Sequence, residues 1–342
     1  MASQDILEVK NLTKIFPISS GLFGLNKNTL KAVHDVSFSV KKGKTLGLVG
    51  ESGCGKSTLG RTILKLLEPN SGEIIFDGKQ ITHLTQKQLR PLRKELQIIF
   101  QDPFASLNPR MTIREILSEP FEIHNIYTKK EELNKKVSEL IEEVGLNKNS
   151  LDRYPHEFSG GQRQRIGIAR ALALHPKLIV CDEPVSALDV SIQSQILNLM
   201  MDLKDKYQLS YIFIAHDLAV IKHISDEVAV MYLGKIVEYA SVDALYSSPT
   251  HPYTQALLSS IPKHDFTQKR VYKTIQGDVP SPINPPSGCH FHTRCPYAQE
   301  ICKTTTPSDI NLGNEENPHL VKCHFAEKIQ KEKLVFFNSS KS

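Results

Sequence analysis

The stretch Gly50-Glu51-Ser52-Gly53-Cys54-Gly55-Lys56-Ser57 decides the fold, because it matches the phosphate-binding pattern G-x-x-x-x-G-K-[ST]. An apolar run at 45–49 precedes it, and apolar residues at helical spacing follow at 57–67, which predicts a strand before the loop and a helix after it. Such a loop turns successive N–H groups toward phosphates, while its lysine adds positive charge and its serine reaches magnesium. The stretch predicts a nucleotide-binding α/β fold.

A second glycine-rich turn lies about a hundred residues later, at Phe158-Ser159-Gly160-Gly161-Gln162. It precedes a segment with small and apolar residues at helical spacing, so its amides and the helix dipole would form an anion site. A helix cap without further function would have the same sequence. Because the chain already has one phosphate-binding loop, the second turn suggests that each nucleotide site is completed by another subunit.

A third pattern, Leu178-Ile179-Val180-Cys181-Asp182-Glu183, places two carboxylates after an apolar strand. Ligand sites in parallel sheets form at the carboxyl ends of strands. We therefore expect Asp182 to hold Mg²⁺ and Glu183 to act as general base toward the water that attacks the γ-phosphate. The alternative is an acidic first turn of a helix before Pro184.

Composition limits the classes of function. The net charge of +5, from 42 basic and 37 acidic residues, is dispersed and gives little electrostatic footprint for nucleic acid. No stretch reaches the roughly 18 apolar residues of a membrane-spanning helix, and residues 1–11 lack the layout of a signal peptide. We expect a protein of the cytosol.

The order of the remaining patterns predicts the organisation of the chain. Short strands at 7–40, interrupted by a turn-rich loop at 19–28, indicate an antiparallel β subdomain. Helical periodicity predicts an inserted helical subdomain at about 104–170, and apolar strands around a helix then indicate a parallel sheet. We expect an ATPase domain over 1–245, a proline-rich, irregular Cys-rich C-terminal module over 246–330 and a tail over 331–342.

These motifs together resemble the ATP-binding subunits of ABC transporters, over essentially the whole chain. The resemblance implies the P-loop ATPase fold and assigns roles by motif. Gln101 would sense the γ-phosphate and magnesium, His216 would contact the γ-phosphate, and Phe16 would stack on adenine. ATP contacts are implied for Phe16, Gly50, Ser52, Gly53, Cys54, Gly55, Lys56, Ser57, Thr58, Ser159, Gly160, Gly161, Gln162 and Asp189, and Mg²⁺ contacts for Ser57, Gln101 and Asp182.

Further stretches resemble the oligopeptide and dipeptide importer branch, and specifically its F-type ATPase subunit. They are Gly50–Gly55, Phe100–Pro109, His251–Thr254 and Gly277–Pro282. The resemblance implies ATP hydrolysis that energises peptide import at the cytoplasmic face of the cell membrane. It also implies a paralogous ATPase partner, two membrane permeases and an extracytoplasmic peptide-binding protein.

Four of the six cysteines cluster near the C-terminus, at Cys289, Cys295, Cys302 and Cys323. Disulfides are rare in the cytosol, and four thiolates suit a [4Fe–4S] cluster or tetrahedral zinc. The absence of a C-x-x-C pair and the resemblance favour iron and sulfur, whereas unliganded buried thiols are the third alternative. Nearby His290, His292, His319 and His324 leave mixed ligation open.

Two other functions compete with peptide import. A non-transport ABC ATPase that acts on nucleic acid or ribosomes would normally carry two cassettes in tandem or a long coiled-coil insertion, and neither is evident in the sequence. A metal-dependent regulatory module with an idle ATP site would not need Asp182, Glu183 and His216 together. We therefore expect an active ATPase.

Overall fold

The computed structural model describes residues 5–20, 26–260 and 277–334 of the chain. Strands and helices alternate through most of these ranges. The strands are β1 (Asp5–Ser20), β2 (Asn26–Lys41), β3 (Thr45–Val49), β4 (Ser71–Phe76), β5 (Lys79–Gln80), β6 (Leu96–Ile99), β7 (Leu178–Asp182), β8 (Ser210–Ile214), β9 (Glu227–Tyr232), β10 (Lys235–Ser241), β11 (Ile310–Asn311) and β12 (Leu320–Val321).

The helices range in length from 4 to 18 residues. They are α1 (Lys56–Ile63), α2 (Gln86–Leu89), α3 (Pro103–Ser106), α4 (Ile113–Ile123), α5 (Lys130–Glu143), α6 (Gly160–Leu172), α7 (Val190–Tyr207), α8 (Leu218–Ile224), α9 (Val242–Ser247), α10 (Pro252–Ser259), α11 (Glu300–Thr304) and α12 (Ala326–Lys331). None of these helices is long and apolar enough to span a membrane.

The chain forms two compact units that interleave in sequence. The first unit contains the described residues of 1–7, 39–45 and 75–214, and the second contains those of 8–38, 46–74 and 215–342. In the first unit β6, β7 and β8 lie side by side and run parallel, with Leu96 opposite Leu178 and Leu178 opposite Ser210. Every residue of β7 and β8 is buried, as expected for parallel strands covered on both faces. The predicted parallel sheet is confirmed.

Helices α3 to α6 follow β6 and precede β7, where the sequence predicts an inserted helical subdomain. The side chains of Thr112 and Glu115 form a reciprocal cap that fixes the start of α4. The apolar faces of α4 and α5 are buried, including Leu117 and Leu140. These helices are therefore packed parts of the first unit.

The second unit contains its own strands. There β2, β1 and β4 lie side by side in that order, and a separate series runs β11–β12–β10–β9–β3. β3 is parallel to β9, whereas β9–β10, β10–β12 and β12–β11 are antiparallel pairs. The short strands β11 and β12 thus attach the C-terminal part of the chain to the edge of β10.

Several predicted boundaries differ from the structure. β1 continues to Ser20 and β2 begins at Asn26, so the predicted loop at 19–28 is shorter, and its residues 21–25 lie outside the described residues. α1 ends at Ile63 instead of continuing to 67 because Lys65 has a left-handed φ of 53°. The first residue of the tail predicted at 331–342 is the last residue of α12, and residues 335–342 lie outside the described residues.

Buried Glu238 on β10 connects two later segments of the second unit. Its carboxylate accepts the N–H groups of Thr250 and His251 at 2.8 and 3.0 Å, and the Nε2 atom of His319 lies 2.8 Å from Oε1. The carboxylate is fully buried and every contact satisfies one of its oxygens. Glu238 therefore joins the start of α10 and the segment before β12 to the sheet.

Candidate functional site

The phosphate-binding loop at 50–57 joins β3 to α1 within the second unit. Gly50, Gly53 and Gly55 have φ values of 154°, 78° and 105°, which glycine adopts at little cost. A Cβ atom on Gly55 would also lie 2.0 Å from the carbonyl oxygen of Ala32. Position 55 therefore requires glycine both for its backbone conformation and for this close approach.

Lys56 is buried at the start of α1, with 4% of its surface exposed. Its Nζ donates to the carbonyl oxygens of Gly50 at 2.7 Å and Glu51 at 3.1 Å. The ammonium group is thus held against the loop that the sequence assigns to phosphate. Ser57 and Thr58 are half-buried in the first turn of α1, and Ser52 is exposed in the loop.

Cys54 is buried within the loop, and its Sγ lies 3.8 Å from the Nζ of Lys56. Burial raises the pKa of the Cys54 thiol, although the charge of Lys56 opposes that effect. A buried thiol whose pKa is raised is a poor nucleophile at neutral pH. Cys54 is therefore a small packing residue of the loop.

The first unit brings together Gln101 and Glu183 at the carboxyl end of β7. The Nε2 atom of Gln101 donates to Oε2 of Glu183 at 3.0 Å. Asp182 is the last residue of β7 and is buried, whereas Glu183 is half-buried and has a left-handed φ of 49°. This change of backbone direction turns Glu183 away from the line of the strand, so the two neighbouring carboxylates can do different chemistry.

The backbone around Glu183 is held by hydrogen bonds within the first unit. Its N–H donates to the carbonyl oxygen of Ile214 at 3.0 Å, and its carbonyl oxygen accepts the Ser186 hydroxyl at 3.1 Å. Asp189, six residues after Glu183, is exposed and precedes α7 as its N-cap residue. The predicted acidic first turn before Pro184 is not helical, because α7 begins only at Val190.

The serine-glycine turn Ser159–Gln162 begins α6. The Oγ atom of Ser159 accepts the N–H of Gln162 at 3.4 Å, and Oε1 of Gln162 accepts the N–H of Ser159 at 3.0 Å. A Cβ on Gly161 would lie 2.5 Å from Cγ2 of Ile192, so glycine allows α6 to pack closely on α7. Gly160, the first residue of α6, is half-buried. The structure thus shows a reciprocal helix cap, and an additional role in anion binding stays a prediction.

Two predicted contacts belong to the second unit. Phe16 lies on β1, and the Nζ of Lys14 lies 5.0 Å from the centre of its ring. This half-exposed ring is available for stacking, with a cation beside it. His216 is exposed two residues after the end of β8.

The four C-terminal cysteines are free thiols. The backbone N–H of Cys289 donates to the carbonyl oxygen of Cys302 at 2.8 Å, which brings two of the four segments together. Burial, with a smaller contribution from the other cysteines of the group, raises the pKa of Cys295 and of Cys323 to about 12. These mutual effects place the thiols in one region of the second unit.

Nevertheless, the predicted metal site is not supported. Across 5–20, 26–260 and 277–334, no group of three or more His, Cys, Asp or Glu side chains could hold a metal ion. Mixed ligation by histidine also lacks support, because three candidates have other partners: His292 on Cys289, His319 on Glu238 and His324 on Thr305. The spacing in sequence identified cysteines that lie near one another, but their side chains do not converge as metal ligands.

Two family descriptions match the chain. The ABC transporter family matches residues 33–186, and the family described as "Oligopeptide/dipeptide transporter, C-terminal region" matches residues 237–302. The chain is 56% identical over 324 residues to the oligopeptide transport ATP-binding protein AppF of Bacillus subtilis, which covers 94% of this chain and 97% of the relative. It is 52% identical over 322 residues to OppF of Haemophilus influenzae, also an oligopeptide transport ATP-binding protein, which covers 93% and 96%.

Solved structures agree with this fold. The dimeric ATP-binding cassette MJ0796, in a post-hydrolysis state bound to ADP and Pi, aligns with a TM-score of 0.61 and 27% identity over 69% of this chain and 98% of that chain. CbiO1 of Clostridium perfringens, part of the ABC transporter complex cbiONQ, aligns with the same TM-score and identity over 72% and 92%. The phosphate-binding loop, the carboxylates after β7 and the cassette fold therefore define an ABC ATPase. Within that class, the chain belongs to the oligopeptide transport ATP-binding proteins.

Sequence reasoning missed residues that contact the phosphate-binding loop from distant parts of the second unit. The hydroxyl oxygen of Tyr253 accepts the N–H of Glu51 at 2.8 Å, and Arg294 forms an ion pair with the Glu51 carboxylate at 2.9 Å. Tyr253 lies in the His251–Thr254 stretch, and Arg294 lies among the C-terminal cysteines, directly before Cys295. Nothing in the sequence around Arg294 indicates that this arginine contacts Glu51.

The close approach at Gly55 generates a stability prediction. Replacing Gly55 with Ala should cost about 3 kcal/mol or more, because left-handed strain adds to a clash with the Ala32 carbonyl. Displacing the start of α1 should also weaken ATP binding. Urea unfolding and an ATP titration of the full chain measure the two effects.

Gly78→Ala is the matched control for this substitution. Gly78 also has a left-handed φ, 76°, but its added Cβ would meet nothing within 4 Å. We expect a cost of about 1–2 kcal/mol from the backbone alone and unchanged ATP binding. Equal losses of stability in the two variants would show that the predicted clash does not exist.

Proposed function

We propose that this chain is the ATP-hydrolysing subunit that powers import of oligopeptides or dipeptides through an ABC transporter. The observation that carries the proposal is the hydrogen bond from Gln101 to Glu183 at the carboxyl end of β7, which gives the general base a defined partner. Family membership over nearly the whole chain supplies the context of peptide transport. The match at 237–302 favours transport over an ATPase acting on nucleic acid or ribosomes.

The proposed roles of the residues follow the chemistry of each group. Lys56 and the loop amides hold the phosphates, and Ser57, Gln101 and Asp182 hold or sense Mg²⁺, which neutralises charge on the phosphates when bound. Glu183 takes the proton from the attacking water. Side chains at three further places serve the nucleotide: His216 at the γ-phosphate, Phe16 at adenine, and Asp189 beside the site.

The proposed assembly contains two different ATPase chains, two membrane permeases and an extracytoplasmic peptide-binding protein, at the cytoplasmic face of the cell membrane. Each ATP lies between the phosphate-binding loop of one ATPase chain and the serine-glycine turn of the other. The start of α6, with its amides and dipole, supports an anion-binding role for the Ser159–Gln162 turn. We also propose that residues 1–245 form the ATPase domain and 246–330 the C-terminal module.

Glu183→Gln tests the proposed general base. The amide keeps the size of the side chain and can still accept the Gln101 hydrogen bond, but it cannot take a proton. We expect ATP turnover by the reconstituted transporter to fall about 10² to 10⁴-fold, while ATP binding remains. Peptide uptake into proteoliposomes should fall with turnover.

The matched control is Glu131→Gln on the exposed face of α5, which should retain both turnover and uptake. Near-normal hydrolysis in Glu183→Gln would assign the base to another residue. A transporter that hydrolyses ATP but moves no peptide would refute the proposed cargo and leave the ATPase assignment standing.

The [4Fe–4S] cluster at Cys289, Cys295, Cys302 and Cys323 stays a prediction from the resemblance. What supports it is a set of four free thiols in one region of the second unit. What opposes it is the lack of converging ligands in the described residues, so no step of the mechanism involves a cluster. A bound cluster would add structure to an irregular segment.

Iron and sulfide content decide this question. If the four cysteines bind a [4Fe–4S] cluster, the anaerobically purified chain will contain about four iron atoms and will absorb visible light through sulfur-to-iron charge transfer. The Cys295→Ser variant will lose both the iron and the absorbance. Lys303→Met, in the same segment, is the control. An iron content near zero in the wild-type chain refutes the cluster.

A further inference from the structure

We propose that Arg294 and Tyr253 position the phosphate-binding loop for ATP through their contacts with Glu51. Glu51 is the second residue of the loop, and its side chain and its main chain are both held by residues from beyond β10. The inference rests on ATP binding at this loop, and it is independent of what the transporter carries.

The side-chain contact is a two-pronged ion pair. Nη1 of Arg294 lies 2.9 Å from Oε2 of Glu51, and Nη2 lies 3.0 Å from Oε1. The Arg294 side chain is 7% exposed and that of Glu51 is 26% exposed. A parallel pair of charge-assisted hydrogen bonds with one buried partner restricts the orientation of the carboxylate more than a single contact does.

The main-chain contact comes from Tyr253. Its hydroxyl oxygen accepts the N–H of Glu51 at 2.8 Å, and the tyrosine is completely buried. This bond directs the N–H of Glu51 toward the α10 side of the loop. The backbone N–H and the side-chain carboxylate of Glu51 are thus both bonded to residues in the C-terminal part of the chain.

An aromatic cluster of Tyr232, Tyr253 and Phe291 holds these two residues in place. Ring centres lie 4.7 Å apart for Tyr232–Tyr253 and 5.3 Å apart for Tyr232–Phe291. The guanidinium carbon of Arg294 lies about the same distance from two of the rings, 5.9 Å from Tyr232 and 6.0 Å from Phe291. The ion pair is therefore built into a packed cluster and is not a loose surface contact.

The backbone at Glu51 also helps to position Lys56, the lysine proposed to bind phosphate. The carbonyl oxygens of Gly50 and Glu51 accept Nζ of Lys56, so the path of the backbone at 50–51 determines where the ammonium lies. Movement of Glu51 would displace both the Lys56 partners and the amides that follow. A loop that is held in its binding conformation binds ligand more tightly, because less ordering is required on binding.

Arg294 lies within the cysteine segment, directly before Cys295. Its N–H donates to the carbonyl oxygen of Phe291 at 3.0 Å, so the local turn fixes where the arginine starts. This segment is part of the predicted C-terminal module over 246–330. The ion pair adds a direct connection from the module to nucleotide binding.

The test is an MgATP titration of the full chain by calorimetry, with wild type measured in parallel. Arg294→Met should weaken binding about 10- to 100-fold, because the loop loses its side-chain anchor. Arg294→Lys should lose less, because lysine keeps the charge but not the two-pronged geometry. In the assembled transporter, KM for ATP should rise while kcat at saturating ATP changes less than about threefold.

Glu51→Gln tests the same pair from its more exposed side and decides the matter if Arg294→Met does not fold. The double variant should bind MgATP no more weakly than Arg294→Met alone, because the two substitutions remove the same interaction. Lys303→Met is the matched control: it breaks a 2.6 Å ion pair with Glu300 in the same segment, with exposed partners, and should leave ATP binding unchanged.

The proposal is overturned if Glu51→Gln, together with Arg294→Met where that variant folds, binds MgATP within about twofold of wild type. It is also overturned if Arg294→Met lowers the melting temperature and kcat without weakening ATP binding, since that result indicates a structural role only. Wild-type binding in the same titration tests the ATP site itself, so failure of the positioning role and failure of the ATPase assignment give different results.

Discussion

The conformation of residues 50–57 is the constraint on which the rest of the structure depends. A loop that turns several amides toward phosphates needs backbone angles that other residues adopt only with strain, and it needs neighbours close enough to hold it. A Cβ on Gly50 would lie 2.1 Å from the carbonyl oxygen of Met231, and one on Gly55 would lie 2.0 Å from that of Ala32. The loop is therefore fitted against β9 and β2 by backbone contact, which side-chain packing alone could not achieve.

The second unit surrounds this loop with groups that satisfy its polar atoms. Lys56 donates to two of its carbonyl oxygens, and the Tyr253 hydroxyl oxygen accepts the N–H of Glu51. Arg294 forms an ion pair with the Glu51 carboxylate. Buried Glu238 joins α10, which carries Tyr253, to β10. The C-terminal segments are thus part of the structure that holds the phosphate-binding loop, although they lie about 200 residues away in sequence.

Local patterns predicted much of this fold. The apolar run of β3, the buried strands β7 and β8 and the helix α7 were identifiable because their hydrophobic residues follow the periodicity of the element. The end of α1 was not, because the left-handed turn at Lys65 has no distinctive residue type. The length of β1 and β2 was also missed, since glycines and asparagines in 19–28 indicate a turn without fixing where the strands stop.

Some residues of the candidate site were also predictable from local sequence patterns, and others were not. Lys56, Asp182 and Glu183 were predicted from spacing, because each lies within a few residues of the strand end that positions it. The Glu51–Arg294 pair joins residues 243 positions apart, and no periodicity or spacing encodes such a contact. For the cysteines, nearness in sequence correctly indicated nearness in space, but it could not indicate whether the sulfur atoms converge on one ion.

The most direct test is a structure of the assembled transporter with MgATP bound to the Glu183→Gln chain. We predict that the triphosphate lies along residues 50–57, with the loop backbone as described and the Glu51–Arg294 ion pair intact. A nucleotide bound elsewhere on this chain, or a loop that binds ATP only after Glu51 has separated from Arg294, would contradict it.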